Sequence, residues 1–362
     1  MAGIYFHIPF CLSKCAYCGF YSLPSLKRKP EVLEALKQEL VARKEYLHGE
    51  PVETVYYGGG TPSLLQVDEI GGLLDLIKEH YVLVDDPEIA LEANPDTLSL
   101  EYLRGLRTLG VNRLSIGIQS FFDNDLKYLS RRHDSQHALQ CVPLAKEAGF
   151  ENISLDLIYG LPTSDADQWN RNLDLFFEME VPHLSAYALT LEPNSILTKQ
   201  IEMGKALPVN EEDAVRDYGI LCQRAKEHGF IHYEISNFCK PGKHSKHNAN
   251  YWFGVPYAGF GPSAHSYDGV SRQWNLQSAV VEKETLTPEQ QYNEYVMLRL
   301  RTMWGIDLKY LKREMGERFA TYCERQAAPL IAQGRLSQTR EFLYLTDDQM
   351  LFADGIAEAL FQ

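Results

Sequence analysis

Along the first two-thirds of the chain, short apolar runs alternate with amphipathic stretches, and this alternation restricts the fold more than any other feature. The runs Gly3–Ile8, Val52–Tyr57, Glu88–Ala93, Arg113–Ile118, Asn152–Leu157 and His183–Leu189 read as strands. Between them, Glu31–Leu47, Val67–Glu79, Leu100–Leu109, Gln136–Ala148 and Gln168–Phe177 repeat apolar residues at helical spacing. A tight turn cannot join two parallel strands, so this order calls for helices that cross over between them. Six such units predict an α/β fold, a parallel sheet curled into a complete or partial (β/α) barrel. Periodicity alone leaves a flat, doubly wound sheet open. The 362 residues exceed one ordinary core of about 100–150 residues and suit a barrel-sized domain with an appendage.

Two changes of texture mark the rest of the chain. From Ile235 to Tyr267 there is no Asp or Glu, where the overall composition would supply about four or five. This run carries Lys240, Lys243, Lys246, His244, His247 and His265 among Gly, Pro and aromatic residues, and it reads as an ordered loop rather than a helix. After Thr285 the pattern turns helical over Thr287–Met303, Leu308–Met315 and Arg318–Gln333. A short strand pair follows, Leu336–Gln338 and Leu343–Thr346, and then a helix from Asp347. Helices with a small hairpin resemble a winged-helix module, but nine Lys/Arg against eleven Asp/Glu leave no basic face for nucleic acid. The expected division is a barrel over 1–235, a His/Lys/aromatic segment over 236–284 and a small C-terminal helical domain over 285–362.

Charge and cysteine usage restrict the function. A balance of 49 acidic to 35 basic residues, net −14, argues against broad binding of nucleic acid or anionic lipid. No apolar run approaches the ~18 residues of a spanning helix. The N-terminal stretch has neither a basic leader nor a small-residue cleavage site, so a cytoplasmic location is expected. Three of the seven cysteines fall within eight residues, as Cys11-x-x-x-Cys15-x-x-Cys18 directly after the first strand. An odd count with one tight cluster is a poor disulfide framework and a better metal site. Three thiolates on one loop can hold three irons of a [4Fe–4S] cluster and leave the fourth open to a chelating molecule. The alternatives are buried free thiols or a zinc site that His7 could complete, although this spacing is unusual for zinc. Cys141, Cys222 and Cys323 are expected to serve in packing.

Further polar residues stand at later strand ends. Gly58-Gly59-Gly60-Thr61-Pro62 closes the second strand, where glycines permit close approach to a ligand and leave N–H groups free to face it. Glu92, Gln119 and Asp156 follow at the ends of the next three strands, and in a parallel barrel such residues converge on one mouth.

The cysteine spacing, with Tyr17 just before the third cysteine, resembles that of radical S-adenosylmethionine (SAM) enzymes. The resemblance implies a [4Fe–4S] cluster on Cys11, Cys15 and Cys18, with SAM chelated to the open iron. By the same resemblance, Tyr5, Gly59, Gly60, Thr61, Glu92, Gln119, Arg131 and Asp156 match SAM-contact positions.

His7-Ile8-Pro9-Phe10-Cys11, the glycine motif, the block Asp156-Leu-Ile-Tyr-Gly-Leu-Pro162 and the helical C-terminal module are together similar to the oxygen-independent coproporphyrinogen III oxidase group, over nearly the whole chain. Its oxidative branch has a fourth cysteine two residues after the third, where this chain has Phe20, and a longer stretch ahead of the cysteines than the ten residues here. The other branch, the HemW-type haem chaperones, carries His-Asn-x-x-Tyr-Trp, matched by His247, Asn248, Tyr251 and Trp252. An imidazole can ligate haem iron, aromatic faces suit a porphyrin, and Lys240, Lys243 and Lys246 suit propionates. The implied function is a haem chaperone that hands haem to an apo-haemoprotein at the membrane, itself associating there only transiently. A reductant for the cluster and a homodimer are further expected partners. The alternatives are a true radical enzyme, such as coproporphyrinogen decarboxylation, and an iron–sulfur protein that does not bind haem.

Overall fold

The computed structural model describes residues 1–276 and 281–362, with the side chain of Val281 left aside; the remaining part of the expected 236–284 segment lies outside the described residues. Six parallel strands form the centre: β1 (Ala2–Ile8), β2 (Val52–Gly59), β3 (Leu83–Ala93), β4 (Arg113–Gln119), β5 (Asn152–Tyr159) and β6 (His183–Ala188). Each lies beside its predecessor, so the sheet curls in sequence order as a partial (β/α) barrel.

The crossover helices are α1 (Lys29–Ala42), α2 (Val67–His80), α3 (Leu100–Leu109), the short α4 (Asp123–Tyr128), α5 (Ser135–Glu147) and α6 (Ala166–Glu178). Their starts follow from local chemistry. Ser99, Asp134 and Asp165 each accept the backbone N–H three residues on, which satisfies a first-turn donor of α3, α5 and α6. The helix expected to reach Leu47 stops at Ala42. Arg43 leaves it and donates to the Gly259 carbonyl at 2.8 Å and the Ser266 hydroxyl at 2.9 Å.

Beyond β6, α7 (Ile196–Glu202) and α8 (Glu211–Glu227) lead to a hairpin, β7 (Ile231–Glu234) and β8 (Asn237–Cys239), that caps the β6 edge antiparallel. The acid-free run is not a loop. It holds β8, the helix α9 (Lys246–Trp252), then β9 (Tyr257–Phe260) and β10 (His265–Tyr267). β9 pairs in parallel with the far side of β1, and β10, β11 (Ser271–Asn275) and β12 (Val281–Thr285) extend that edge antiparallel. Among the described residues one twelve-stranded sheet therefore runs from β12 to β7.

The C-terminal module follows the expected plan. It contains α10 (Pro288–Leu300), β13 (Ile306–Asp307), α11 (Leu308–Tyr310) running into a π turn (Leu311–Met315), and α12 (Glu317–Ala332). The small strands β14 (Ser337–Gln338) and β15 (Phe342–Tyr344) and the helices α13 (Asp347–Met350) and α14 (Ala353–Glu358) complete it. β13, β15 and β14 form the wing-like sheet. Among the described residues no helix is long and apolar enough to cross a membrane.

Candidate cofactor and ligand site

The loop after β1 and the ends of β2 to β6 enclose a cavity of about 430 Å³. Cys11, Cys15 and Cys18 line it, together with Gly59, Gly60, Thr61, Glu92, Gln119, Arg131 and Asp156. Seven of the eight expected SAM-contact residues thus meet the three thiols at one mouth. Tyr5 does not; it lines a second cavity on the other side of the cysteine loop.

The glycines act differently from expectation. The Gly59 N–H donates to Glu92 Oε2 at 3.0 Å and the Gly60 N–H to the Ile8 carbonyl at 2.8 Å, so neither is free to face a ligand. Close approach does hold, but to the chain itself. A Cβ on Gly60 would stand 2.7 Å from the Phe10 carbonyl oxygen, so only glycine lets β2 carry the cysteine loop at this distance.

Arg131 ties the mouth together. Its Nη2 donates to Asn94 Oδ1 at 2.7 Å and the Gly117 carbonyl at 2.6 Å, and its Nη1 lies 3.4 Å from Cys15 Sγ. Asn94 in turn donates to Thr61 Oγ1 at 3.1 Å, and Thr61 to Cys11 Sγ at 3.6 Å. Asn94, Ser115 and Tyr56 are site residues that sequence reasoning passed over. Asn94 stands two residues beyond Glu92, so its place at the same strand end could have marked it. Ser115 donates to Asp156 at 3.0 Å and Tyr56 to Glu92 at 2.9 Å; both sit mid-strand, where only the register of the sheet reveals them. Gln119 has φ of 70° at a break in the β4–β5 register, a strained conformation for a residue other than glycine.

Electrostatics at the mouth follow from burial. Desolvation and the neighbouring Asp156 push Glu92 up to about 7, and desolvation raises Asp156 to about 6. Burial also raises the Cys11 and Cys18 thiols, so metal capture there must expel protons. Among the described residues no three His, Cys, Asp or Glu side chains converge closely enough to share one metal ion. A polynuclear cluster asks instead for thiols spread over its corners. The buried Arg131 Nε lacks a partner among the described residues, and two buried carboxylates face the same space. Three thiols, a cation and a carboxylate pair fit a cluster beside a sulfonium-bearing amino acid.

The second cavity, about 960 Å³, lies between the barrel and the C-terminal module. Tyr251, Trp252, Tyr257 and Tyr267 line it from one side, Tyr295, Tyr310 and Met315 from the other. Lys14, Gly19, Phe20 and Ser22 border both cavities, so the cysteine loop separates them. The Trp252 indole N–H is buried without a partner among the described residues, and Arg301 lies over the ring at 5.9 Å.

His247 and Asn248 are not on this wall. His247 is buried, with Nδ1 2.8 Å from Thr54 Oγ1 and Nε2 2.7 Å from the Tyr251 hydroxyl. It stacks on Tyr56 with centroids 4.9 Å apart, and desolvation lowers its pKa to about 3. Both ring nitrogens are committed in this conformation, which corrects the expectation of an imidazole open to iron. The three lysines do not line the cavity either. Lys243 and Lys246 are exposed, and Lys240 donates to the His228 carbonyl with its Nζ over Phe230 at 4.6 Å.

A partial parallel barrel that presents three cysteines after its first strand, with a carboxylate pair and an arginine at the same mouth, defines a radical SAM protein. Residues 5–176 match the radical SAM superfamily and residues 286–352 the HemN C-terminal domain. A solved structure of coproporphyrinogen III oxidase HemN from Escherichia coli shares the fold, with a TM-score of 0.86 over all of this chain and 90% of that one at 23% identity. Proteins named heme chaperone HemW are more alike in sequence. Those from Mycobacterium tuberculosis and Bacillus subtilis are each 34% identical, covering 99% and 98% of this chain and 94% and 98% of their own. That from Escherichia coli is 33% identical over 98% of this chain and 97% of its own. The chain belongs to the HemW family.

Proposed function

We propose that the protein binds haem and passes it to an apo-haemoprotein, with a [4Fe–4S] cluster on Cys11, Cys15 and Cys18 and SAM at the mouth beside it. The observation that carries the reading is full-length likeness to proteins named as haem chaperones. The aromatic cavity of about 960 Å³ supports it, standing at the upper end of the ~300–1,000 Å³ usual for small-molecule sites. Tyr251 and Trp252 would offer flat faces to the porphyrin. His247 would act as a positioning residue, holding the Tyr251 hydroxyl through Nε2.

At the other mouth, Glu92 and Asp156 would balance the positive charges of SAM, and Arg131 its carboxylate. Gly59, Gly60, Thr61 and Gln119 would shape the cleft. When bound, the cluster supplies low-potential electron transfer to SAM, fed by an external reductant. The chaperone would work in the cytoplasm, alone or as a homodimer, and meet a membrane-bound acceptor there.

The test is an anaerobic haem titration of cluster-loaded protein, followed by transfer to a haem-depleted acceptor. Saturable one-to-one binding and recovery of acceptor activity are expected. Failure to activate any acceptor would remove delivery. Formation of 5′-deoxyadenosine that accelerates on adding coproporphyrinogen would favour a decarboxylase instead.

A further inference from the structure

The histidine best placed to hold iron in the large cavity is not the one its sequence motif singles out. Among the described residues two histidines line the wall, His7 and His265. His7 is committed: its Nε2 lies 3.0 Å from the Tyr21 carbonyl and its Nδ1 3.3 Å from the Tyr5 hydroxyl. His265 is exposed, and its ring nitrogens have no hydrogen-bond partner among the described residues.

The backbone beneath His265 is firmly held. β10 alternates, with Ser266 turned inward to receive Arg43 and the Gly259 N–H, which leaves His265 and Tyr267 on the opposite face. The preceding turn is fixed by Ser263 N–H to the Asn275 carbonyl and Asn275 N–H to the Ala264 carbonyl, both 2.9 Å. The ring stacks on Trp274, directly across on β11, with centroids 6.1 Å apart and planes 24° apart. An imidazole oriented on one face by an aromatic ring, on a rigid strand, with both nitrogens unclaimed, has the properties of a preformed axial ligand. Partial desolvation and the nearby Arg272 lower its pKa, which favours the neutral form that donates a lone pair.

Resting on the haem reading above, we propose that His265 is the axial ligand through which the cavity holds haem iron. A ring-nitrogen lone pair fills an open axial position, and no electron or proton transfer is required. Nearby positive charge comes from Lys14 and from Arg272, which pairs with Glu294 at 2.8 Å.

The test compares wild type, His265→Ala and His265→Tyr by titration with haem and with iron-free protoporphyrin IX, followed by absorbance and electron paramagnetic resonance. The iron-free ring has no axial position, so it separates ligation from packing. His265→Ala should bind haem at least about tenfold more weakly, bind protoporphyrin unchanged, and recover the wild-type spectrum on adding imidazole. His265→Tyr should show the charge-transfer band of phenolate-ligated iron. Unchanged haem affinity and spectrum in both variants would overturn the assignment while leaving haem binding in place. So would an equal loss of both porphyrins in His265→Ala. Absence of saturable haem binding by wild type would remove both the ligand and the reading on which it rests.

Discussion

At the scale of single residues, the carboxylate pair and His247 make opposite statements about protons. Glu92 and Asp156 are held up near 7 and 6, so just below neutrality the pair carries about one negative charge, and it becomes largely neutral only as pH falls below 6. A ligand with a sulfonium and an ammonium favours the ionised pair. SAM affinity should therefore rise between pH 6 and 7.5, by up to about tenfold per pH unit for one linked proton. Anaerobic calorimetry in two buffers of different ionisation enthalpy counts the protons released. Glu92→Gln should weaken binding and flatten the dependence; a pH-independent wild type would contradict the assignment. His247 is the reverse case. Its folded pKa lies below the unfolded value, so its contribution to stability is present above about 6.5 and is lost as pH falls toward 3. About 2 kcal/mol of wild-type stability should disappear between pH 7 and 5 from this group alone. His247→Ala should lack that share while costing about 2–4 kcal/mol at pH 7, through the emptied space and the stranded Thr54 and Tyr251 hydroxyls. Urea unfolding of both proteins at the two pH values measures each quantity.

At the scale of elements, the six parallel strands, four of the crossover helices to within two residues at each end and the C-terminal hairpin were legible because their signals are local. Apolar periodicity, Ser and Asp caps and a left-handed Gly110 after α3 all lie within a few residues of what they control. The cysteine loop and the strand-end polar residues were legible for the same reason. Helix α9 was not, because the acid at its N-terminus comes from another strand. The run contains no Asp or Glu, yet Glu88 of β3, buried, accepts the backbone N–H groups of Lys246 at 3.2 Å and His247 at 3.1 Å. Ser245 supplies the local cap. His247 was misread as open for a similar reason, since Thr54 is remote in sequence and adjacent only once β2 is in register. Glu88→Gln would turn one acceptor into a donor facing these N–H groups, at a cost of about 1–3 kcal/mol. A thermal melt should show the loss, with cluster content unchanged; equal stability would mean that Ser245 alone carries the helix.

At the scale of the whole molecule, the large cavity belongs to no single unit, since its walls come from α9 and the following strands on one side and from α10 and the π turn on the other. Haem seated there should slow amide exchange in residues 251–257 and in 288–315 together, as read by hydrogen-exchange mass spectrometry. Protection on one side only would place the cargo elsewhere. The sheet order has one more consequence. β1 is made first, but its second neighbour, β9, is made some 250 residues later. At about 5–20 residues per second, a ribosome leaves that strand edge without its native neighbour for roughly 10–50 s. An apolar strand with open backbone groups is a template for mispairing, so nascent chains halted short of Tyr257 should bind chaperones or aggregate more than chains halted beyond Phe260, once each has cleared the exit tunnel. A protein whose proposed work is to shield a hazardous cargo would thus begin its own life with an edge in need of shelter.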